Sequence, residues 1–283
     1  MVEVVRVTPD MFEQVIGLLG EFKNDPISQA QWKNLFSYQW DKTENYVGLA
    51  LKDQGQIVGF LGLIFSERMI NGKNEKFCNL SSWIVKDEYR DQTLSLVIDV
   101  RNLEDYTLTN FTPSPEVYKI LKALGFKELE DNIQIFPLVA NLKSGRKIHI
   151  ISEVKLIKDI LIDRDQKILT EQQSYCTQHL VAQTEQGYCY VVFKRVKRKK
   201  IYFNHILYIS NLSLFEKALN KILAKMFMIN FAPLTLIDSR LLQGKKIGWS
   251  RTWKIEHPRL YRSNHLNKED VDNLYSEFVL LPI

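Results

Sequence analysis

The sequence has few of the residues that build metal centres or disulfide frameworks. Three of its 283 residues are cysteines, Cys78, Cys176 and Cys189, and none belongs to a C-x-x-C pair. The five histidines lie far apart, without an H-x-x-x-H or H-x-E pattern, so we predict no metal site. Isolated cysteines of this kind are typical of small buried side chains in a reducing compartment, and we expect a cytoplasmic protein.

Long apolar runs and the common nucleotide and hydrolase motifs are also missing. No run approaches the ~20 apolar residues of a membrane-spanning helix, and residues Met1–Arg6 lack the features of a signal peptide. There is no P-loop and no G-x-S-x-G motif. The net charge of +5 is modest, so the composition does not require a nucleic-acid partner. These features predict a globular protein without a membrane span.

The order of predicted elements indicates two domains. Residues 1–140 read as β-α-α-β-β-β-α-β-α, and the polar segment 141–147 reads as a linker. A similar order recurs over 148–283, with helices beginning at Ser152 and at the capping box Ser213-x-x-Glu216. The two halves share little residue identity, so the repeat rests on element order alone. The predicted fold class is α+β.

The segment from Phe77 to Phe126 carries the most specific pattern. It reads as a strand (Phe77–Val85), a charged turn, a helix-like run (Asp91–Arg101), a strand (Tyr106–Asn110) and an amphipathic helix before Gly125. This order resembles the acyl-CoA-binding core of the GNAT N-acyltransferase superfamily. The resemblance implies two GNAT-like domains, each a mixed, mostly antiparallel sheet flanked by helices. It also implies acetyl-CoA or another acyl-CoA as co-substrate, and a small-molecule or peptide amine as acceptor.

Members of that superfamily hold the CoA pyrophosphate with the backbone N–H groups of a glycine-containing turn, the phosphate turn, and this turn is altered in the present chain. Arg90 stands at the position of its arginine, and Thr93 and Ser95 stand at the positions of its two glycines. Helix-start N–H groups attract anions, and threonine and serine keep those donors while crowding the approach. The resemblance implies that the following residues bind the co-substrate: Trp83, Ile84, Val85, Arg90, Asp91, Gln92, Thr93, Leu94 and Ser95.

The acid and base of the superfamily are also altered. The tyrosine that commonly protonates the departing thiolate corresponds to Leu121, and Tyr118 lies three residues earlier. Tyr118 is the candidate general acid, with core packing as the alternative. The co-substrate strand offers Asn79, Ser81 and Ser82, and no acidic residue, as candidates for holding a proton-accepting water.

Other segments allow two interpretations. The second half has Ser210–Ser213 where the first has its phosphate turn, so we place co-substrate binding in the first half. The basic run Lys194–Lys200 indicates either a solvated hairpin tip or a surface that contacts phosphates, an acidic polymer or an anionic membrane surface. The stretch Gly244–Arg262 mixes cations with tryptophans, which favours either burial or ligand contact.

Three functions remain open from the sequence. The favoured one is a CoA-dependent N-acyltransferase that acts on a primary amine. The first alternative is a non-catalytic GNAT-like protein that binds a ligand or partner. The second is an aminoacyl transferase of the Fem type that uses charged tRNA. The sequence does not determine the acceptor, the acyl length or the oligomeric state.

Overall fold

The structure, a computed structural model, describes residues 1–22, 27–40, 42–138, 148–198 and 200–283. The predicted linker 141–147 lies outside these residues. Two compact units are present. Unit 1 contains Met1–Leu129, His257–Asp270 and Tyr275–Pro282, and unit 2 contains Glu130–Glu256, Val271–Leu274 and Ile283.

Unit 1 contains most of the first half of the chain. Its strands are β1 (Glu3–Val7), β2 (Gly48–Asp53), β3 (Gln56–Ile70), β4 (Lys73–Val85) and β5 (Tyr106–Asn110). Its helices are α1 (Phe12–Leu19), α2 (Gln29–Ser37), α3 (Ser95–Ile98) and α4 (Pro115–Ala123). Neighbouring strands from β1 to β4 are antiparallel, and β4 and β5 are parallel.

Unit 2 begins within β6 (Lys127–Pro137). It continues with β7 (His149–Ile151), α5 (Val154–Ile160), α6 (Asp163–Gln172), β8 (Gln178–Thr184), β9 (Gly187–Arg198), β10 (Ile201–Ile209), α7 (Leu212–Asn230) and β11 (Leu234–Asp238). The strands β7 to β10 pair antiparallel in chain order, and β10 and β11 are parallel. Each unit is therefore a mixed, mostly antiparallel sheet flanked by helices, as predicted.

The two units have the same topology, but their sixth strands are exchanged. β12 (Arg251–Arg262) and α8 (Glu277–Leu280) complete the chain. β5 pairs antiparallel with β12 in unit 1, and β11 pairs antiparallel with β6 in unit 2. The boundaries of the predicted domains, 1–140 and 148–283, therefore differ from the boundaries of the two compact units. The physical reason is that β6 pairs with a strand of the second half, while β12 returns to β5.

Each unit has its own apolar core. In unit 1 the core lies between the sheet and the segment that carries α3 and α4, and it includes Leu63, Leu80, Leu96 and Leu121. In unit 2 it lies between the sheet and α7, and it includes Val191, Phe193 and Ile222. Burial of these side chains supplies most of the favourable free energy of folding.

Two predicted helix starts are wrong. The N-cap of α5 is Glu153 instead of Ser152, and the N-cap of α7 is Asn211 instead of Ser213. The Asn211 side chain accepts a hydrogen bond from the Leu214 N–H at 3.0 Å. This cap lets Leu212 join the helix and pack on the apolar core.

Candidate functional site

The parallel strands β4 and β5 of unit 1 separate along their length. Their register covers Lys76↔Tyr106 to Asn79↔Thr109. At the point of separation, Asn79 Nδ2 donates to Thr109 Oγ1 at 3.1 Å, and Asn110 Nδ2 donates to the Leu80 carbonyl at 2.9 Å. β4 continues to Val85 with β3 along its other edge. We call the β5-facing edge of residues 81–85 the open edge.

A β-bulge changes the direction of the side chains along the open edge. The register of β3 with β4 shifts between Phe60 and Gly62, and Ser82 has a left-handed φ of 52°. Before the bulge Leu80 faces the core of unit 1, and after it Trp83 and Val85 pack against the same core. A non-glycine residue in this conformation is strained, and such strain is concentrated at functional sites.

The three residues Trp83, Ile84 and Val85 are half-buried along this edge. Trp83 Nε1 is enclosed and has no hydrogen-bond partner among the described residues. A buried donor without a partner costs free energy, because it has lost its hydrogen bonds to water. The donor chemistry of this segment therefore suits a ligand with oxygen acceptors.

The predicted helix over Asp91–Arg101 is wrong as a continuous element. The segment forms a 3₁₀ turn (Asp87–Gln92), the four-residue α3 and a second 3₁₀ turn (Asp99–Asn102). α3 has no side-chain cap at its N-terminus. A long, capped helix would strengthen anion binding through its dipole, and this segment does not supply one.

Arg90 and its neighbours lie at the surface of this turn. Arg90 forms an i,i+3 ion pair with Asp87 at 2.7 Å, and its side chain is 74% exposed. Asp91 and Leu94 are exposed, while Gln92, Thr93 and Ser95 are half-buried. The adjoining Tyr89 hydroxyl donates to Asp53 at 3.0 Å and ties the turn to β2. Arg90 is therefore accessible to an anion, at the cost of breaking a weak surface pair.

Tyr118 lies on α4, with a partly buried ring and a hydrogen-bonded hydroxyl. Its ring packs partly against the core of unit 1. Its hydroxyl donates to Glu128 Oε1 at 2.5 Å, and this bond raises the pKa of Tyr118. The phenol is therefore protonated at neutral pH, which is the form that a general acid requires.

A buried carboxyl group beside Asn79 was missed by the sequence reasoning. Glu277 is fully buried, and its N–H donates to Asn79 Oδ1 at 3.3 Å. Thr112 Oγ1 donates to Glu277 Oε1 at 3.0 Å. Burial raises the Glu277 pKa to about 7, against the opposing effects of these bonds and of Arg259. The only signal in the sequence is a lone acidic residue before the apolar run Phe278–Leu281.

The other predicted surfaces differ in exposure. Lys194 is buried, whereas Arg195, Lys197 and Arg198 are exposed on the same strand. Trp253 is 60% exposed, and Trp249 packs edge-on against Phe136. No helix within the described part of the chain is long and apolar enough to cross a membrane.

Comparisons with known proteins support the fold. No family model matches the sequence, and no curated protein matches it. Among solved structures, a GCN5-related N-acetyltransferase from Kribbella flavida is similar, with 12% identity, a TM-score of 0.60, and 93% of this chain and 71% of that chain covered. A tandem GNAT protein from the clavulanic acid biosynthesis pathway is 12% identical, with a TM-score of 0.54 and coverages of 94% and 100%.

The N-myristoyltransferase of Saccharomyces cerevisiae, solved with myristoyl-CoA, is also similar. It is 9% identical, with a TM-score of 0.51, and the match covers 100% of this chain and 84% of that chain. These similarities show that the chain has the GNAT fold, in agreement with the resemblance found in the sequence.

Proposed function

We propose that this protein is a CoA-dependent N-acyltransferase, and that unit 1 binds the acyl-CoA along the open edge. The observation that carries the proposal is the separation of β4 and β5 after the pair Asn79↔Thr109. Beyond that pair, backbone groups of β4 face away from β3 and are available to a ligand. An extended pantetheine chain with amide groups suits such an edge.

The thioester carbonyl is assigned to the segment Trp83–Val85. A backbone N–H there stabilises the oxyanion that develops when the amine attacks the carbonyl carbon. The unpartnered Trp83 Nε1 offers a further donor in the same segment. The reaction class is acyl transfer to a primary amine of a small molecule or peptide.

The phosphates are assigned to the turn that follows β4. The guanidinium of Arg90 supplies charge. Thr93 supplies its hydroxyl, because its N–H already donates to the Arg90 carbonyl at 3.2 Å, and Ser95 supplies N–H and hydroxyl donors. Asp91, Gln92 and Leu94 form the rest of the backbone turn. Because α3 is short, side chains contribute more of the binding than a helix dipole does. Tyr118 is assigned the protonation of the departing thiolate.

A non-catalytic, ligand-binding protein is the second candidate. The Asp87–Arg90 ion pair and the short α3 favour it, because both weaken the phosphate turn. This function predicts that the protein binds CoA but acylates no amine.

Thermal unfolding with CoA, acetyl-CoA and longer acyl-CoAs tests the proposal. A ligand at ~100 times its Kd, bound only by the native state, stabilises it by about 2.7 kcal/mol. We expect a clear rise in Tm for the wild type, a loss of that rise in Arg90→Ala, and an unchanged rise in the control Lys155→Ala. Lys155 is an exposed cationic residue on α5 in unit 2.

Turnover is then measured as release of the CoA thiol with a panel of primary amines. The panel contains an alkyl diamine, free amino acids and short peptides. Acylation of at least one amine supports the enzyme. Binding without turnover favours the second candidate, and no rise in Tm with any CoA contradicts both.

A further inference from the structure

A cavity of about 330 Å³ lies in unit 1, at the end of β5 where the chain enters the strand. Because β5 and β12 are antiparallel, Arg262, the last residue of β12, lies at this end, whereas Leu260 pairs with Asn110 at the other end. Four residue steps of ~3.3 Å separate Tyr106 at the cavity from Asn110, which is about 13 Å along the strand. Asn110 adjoins the point where β4 and β5 separate. The cavity is therefore distinct from the open edge.

Two arginines, Arg101 and Arg262, line this cavity, and neither forms an ion pair with any residue that the structure describes. Arg262 Nη2 donates to the neutral Arg101 carbonyl at 3.2 Å. The half-buried Arg262 guanidinium also lies 5.6 Å from the centroid of the Phe126 ring. Burial and the charge of Arg101 lower the pKa of Arg262, against the opposite effect of Glu104. Two neighbouring cations without a counter-ion create a positive potential that attracts an anion.

Hydrogen bonds hold the walls of the cavity in place. Thr107 Oγ1 and Ser263 Oγ lie 2.7 Å apart and link β5 to the residue that follows β12. Ser263 Oγ also accepts from the Leu266 N–H at 3.0 Å, and Asn264 Nδ2 donates to the Glu104 carbonyl at 3.4 Å. A preformed cavity lowers the entropic cost of ordering its side chains when a ligand binds.

The donors and acceptors of the cavity indicate the class of ligand. A guanidinium presents a planar set of N–H groups that matches the oxygens of a carboxylate or a phosphate. The carboxylate of Glu104, which also lines the cavity, accepts a hydrogen bond from a hydroxyl group. The volume lies at the lower end of the range for small-molecule sites, about 300–1,000 Å³. These features favour a small, polar anion.

We propose that this cavity binds a small organic anion, either a hydroxycarboxylate or a hydroxyl-bearing phosphate ester. Its anionic group lies between Arg101 and Arg262, and its hydroxyl donates to Glu104. The bound anion takes no part in the acyl transfer proposed above. The anion site and the proposed function can therefore each fail without the other.

Isothermal titration calorimetry of the full chain at constant ionic strength tests this site with four probes. Malate and glycerol 3-phosphate carry the hydroxyl, and succinate and propyl phosphate are their counterparts without it. We expect saturable binding of one anion per chain, and the tighter of malate and glycerol 3-phosphate identifies the ligand as a carboxylate or a phosphate ester. Each hydroxyl-bearing probe should bind more tightly than its counterpart, and equal affinities would overturn the role of Glu104.

Arg101→Gln should weaken binding of the tighter probe about 10-fold, because it removes a charge-assisted hydrogen bond. The Arg101 side chain is exposed, so the variant should keep the fold and the rise in Tm with acetyl-CoA. Arg262→Gln should weaken binding at least as much.

Two control variants each remove one positive charge elsewhere. Lys155→Gln changes an exposed residue of unit 2, and Arg90→Gln changes the phosphate turn. Both should keep the wild-type affinity for the anion. An equal loss in Lys155→Gln would indicate general attraction by net charge and overturn the site. Loss in Arg90→Gln with retention in Arg101→Gln would move the anion to the phosphate turn, and no saturable binding of any probe by the wild type would contradict the site outright.

Discussion

Asn79 Nδ2 donates to Thr109 Oγ1 at 3.1 Å, at the last pair of residues that holds β4 and β5 in register. The hydrogen bond joins the two strands directly before they separate. The other side of the Asn79 amide accepts from the Glu277 N–H. One buried side chain thus fixes the end of the ladder and the start of the C-terminal helix.

Asn79→Ala is expected to lower the free energy of unfolding by about 1–3 kcal/mol, because it leaves Thr109 on β5 and the Glu277 N–H on α8 without their buried partner. Urea denaturation of the full chain measures this change. Asn74→Ala, at an exposed position near the start of the same strand, is the control and should stay within about 0.5 kcal/mol of the wild type. Equal effects of the two substitutions would contradict the role of Asn79.

Glu277 makes the free energy of unfolding decrease as pH rises. Its pKa in the folded protein is about 7, against an ordinary value of 4.5. Between these values the folded state binds more protons than the unfolded state, so the free energy of unfolding decreases with pH. A shift of this size corresponds to about 3 kcal/mol. Glu277→Gln should remove that decrease, as followed by urea denaturation from pH 4 to 8, whereas a decrease of the same size in the variant would contradict this assignment.

His179 has the opposite pH dependence. Burial lowers its pKa from 6.5 to about 4, and its Nδ1 lies 2.7 Å from the Tyr190 hydroxyl. Between pH 6.5 and about pH 4 the unfolded state therefore binds more protons than the folded state, so the free energy of unfolding decreases as pH falls through this range. His179→Gln should reduce this acid sensitivity, and His265→Gln, at an exposed position, should not. Acid unfolding curves followed by circular dichroism decide between them.

Two glycines should respond to alanine in opposite directions. A Cβ at Gly48 would lie 2.5 Å from Phe60 Cε2 and 2.6 Å from the Leu61 carbonyl oxygen. Gly48→Ala therefore destabilises unit 1 through steric overlap. A Cβ at Gly17, inside α1, meets nothing within 4 Å. Gly17→Ala should stabilise the helix by about 0.5–1 kcal/mol, and a pair of Tm values that fall together would contradict this contrast.

The order of elements could be predicted because each strand and helix carries its own periodicity. The strand Tyr106–Asn110 was predicted with the bounds that the structure has, since its aromatic and β-branched residues follow the turn residues Glu104 and Asp105. The exchange of β6 and β12 could not be predicted. Either strand has an apolar face that suits either sheet, and the pattern of one strand does not specify its partner.

The candidate site was predicted only in part. The position of β4 and of its turn follows from local sequence, whereas the bulge at Ser82 and the break of the helix at Thr93 depend on packing. Glu277 could not be found from periodicity, because its burial arises from contacts with Asn79 and Thr112, which lie more than 150 positions away in the chain. The roles of Tyr118 and of the phosphate-turn residues remain predictions.

Amide hydrogen exchange with and without saturating acetyl-CoA tests the central claim most directly, because it reports where the co-substrate lies in the intact chain. We expect slower exchange in the peptides that cover residues 81–85 and 90–95, since bound ligand protects the amides it contacts. The peptides of β9 and β10 should be unchanged. Protection confined to unit 2, or no protection in residues 81–95 at saturation, would contradict the placement of the acyl-CoA on the open edge of β4.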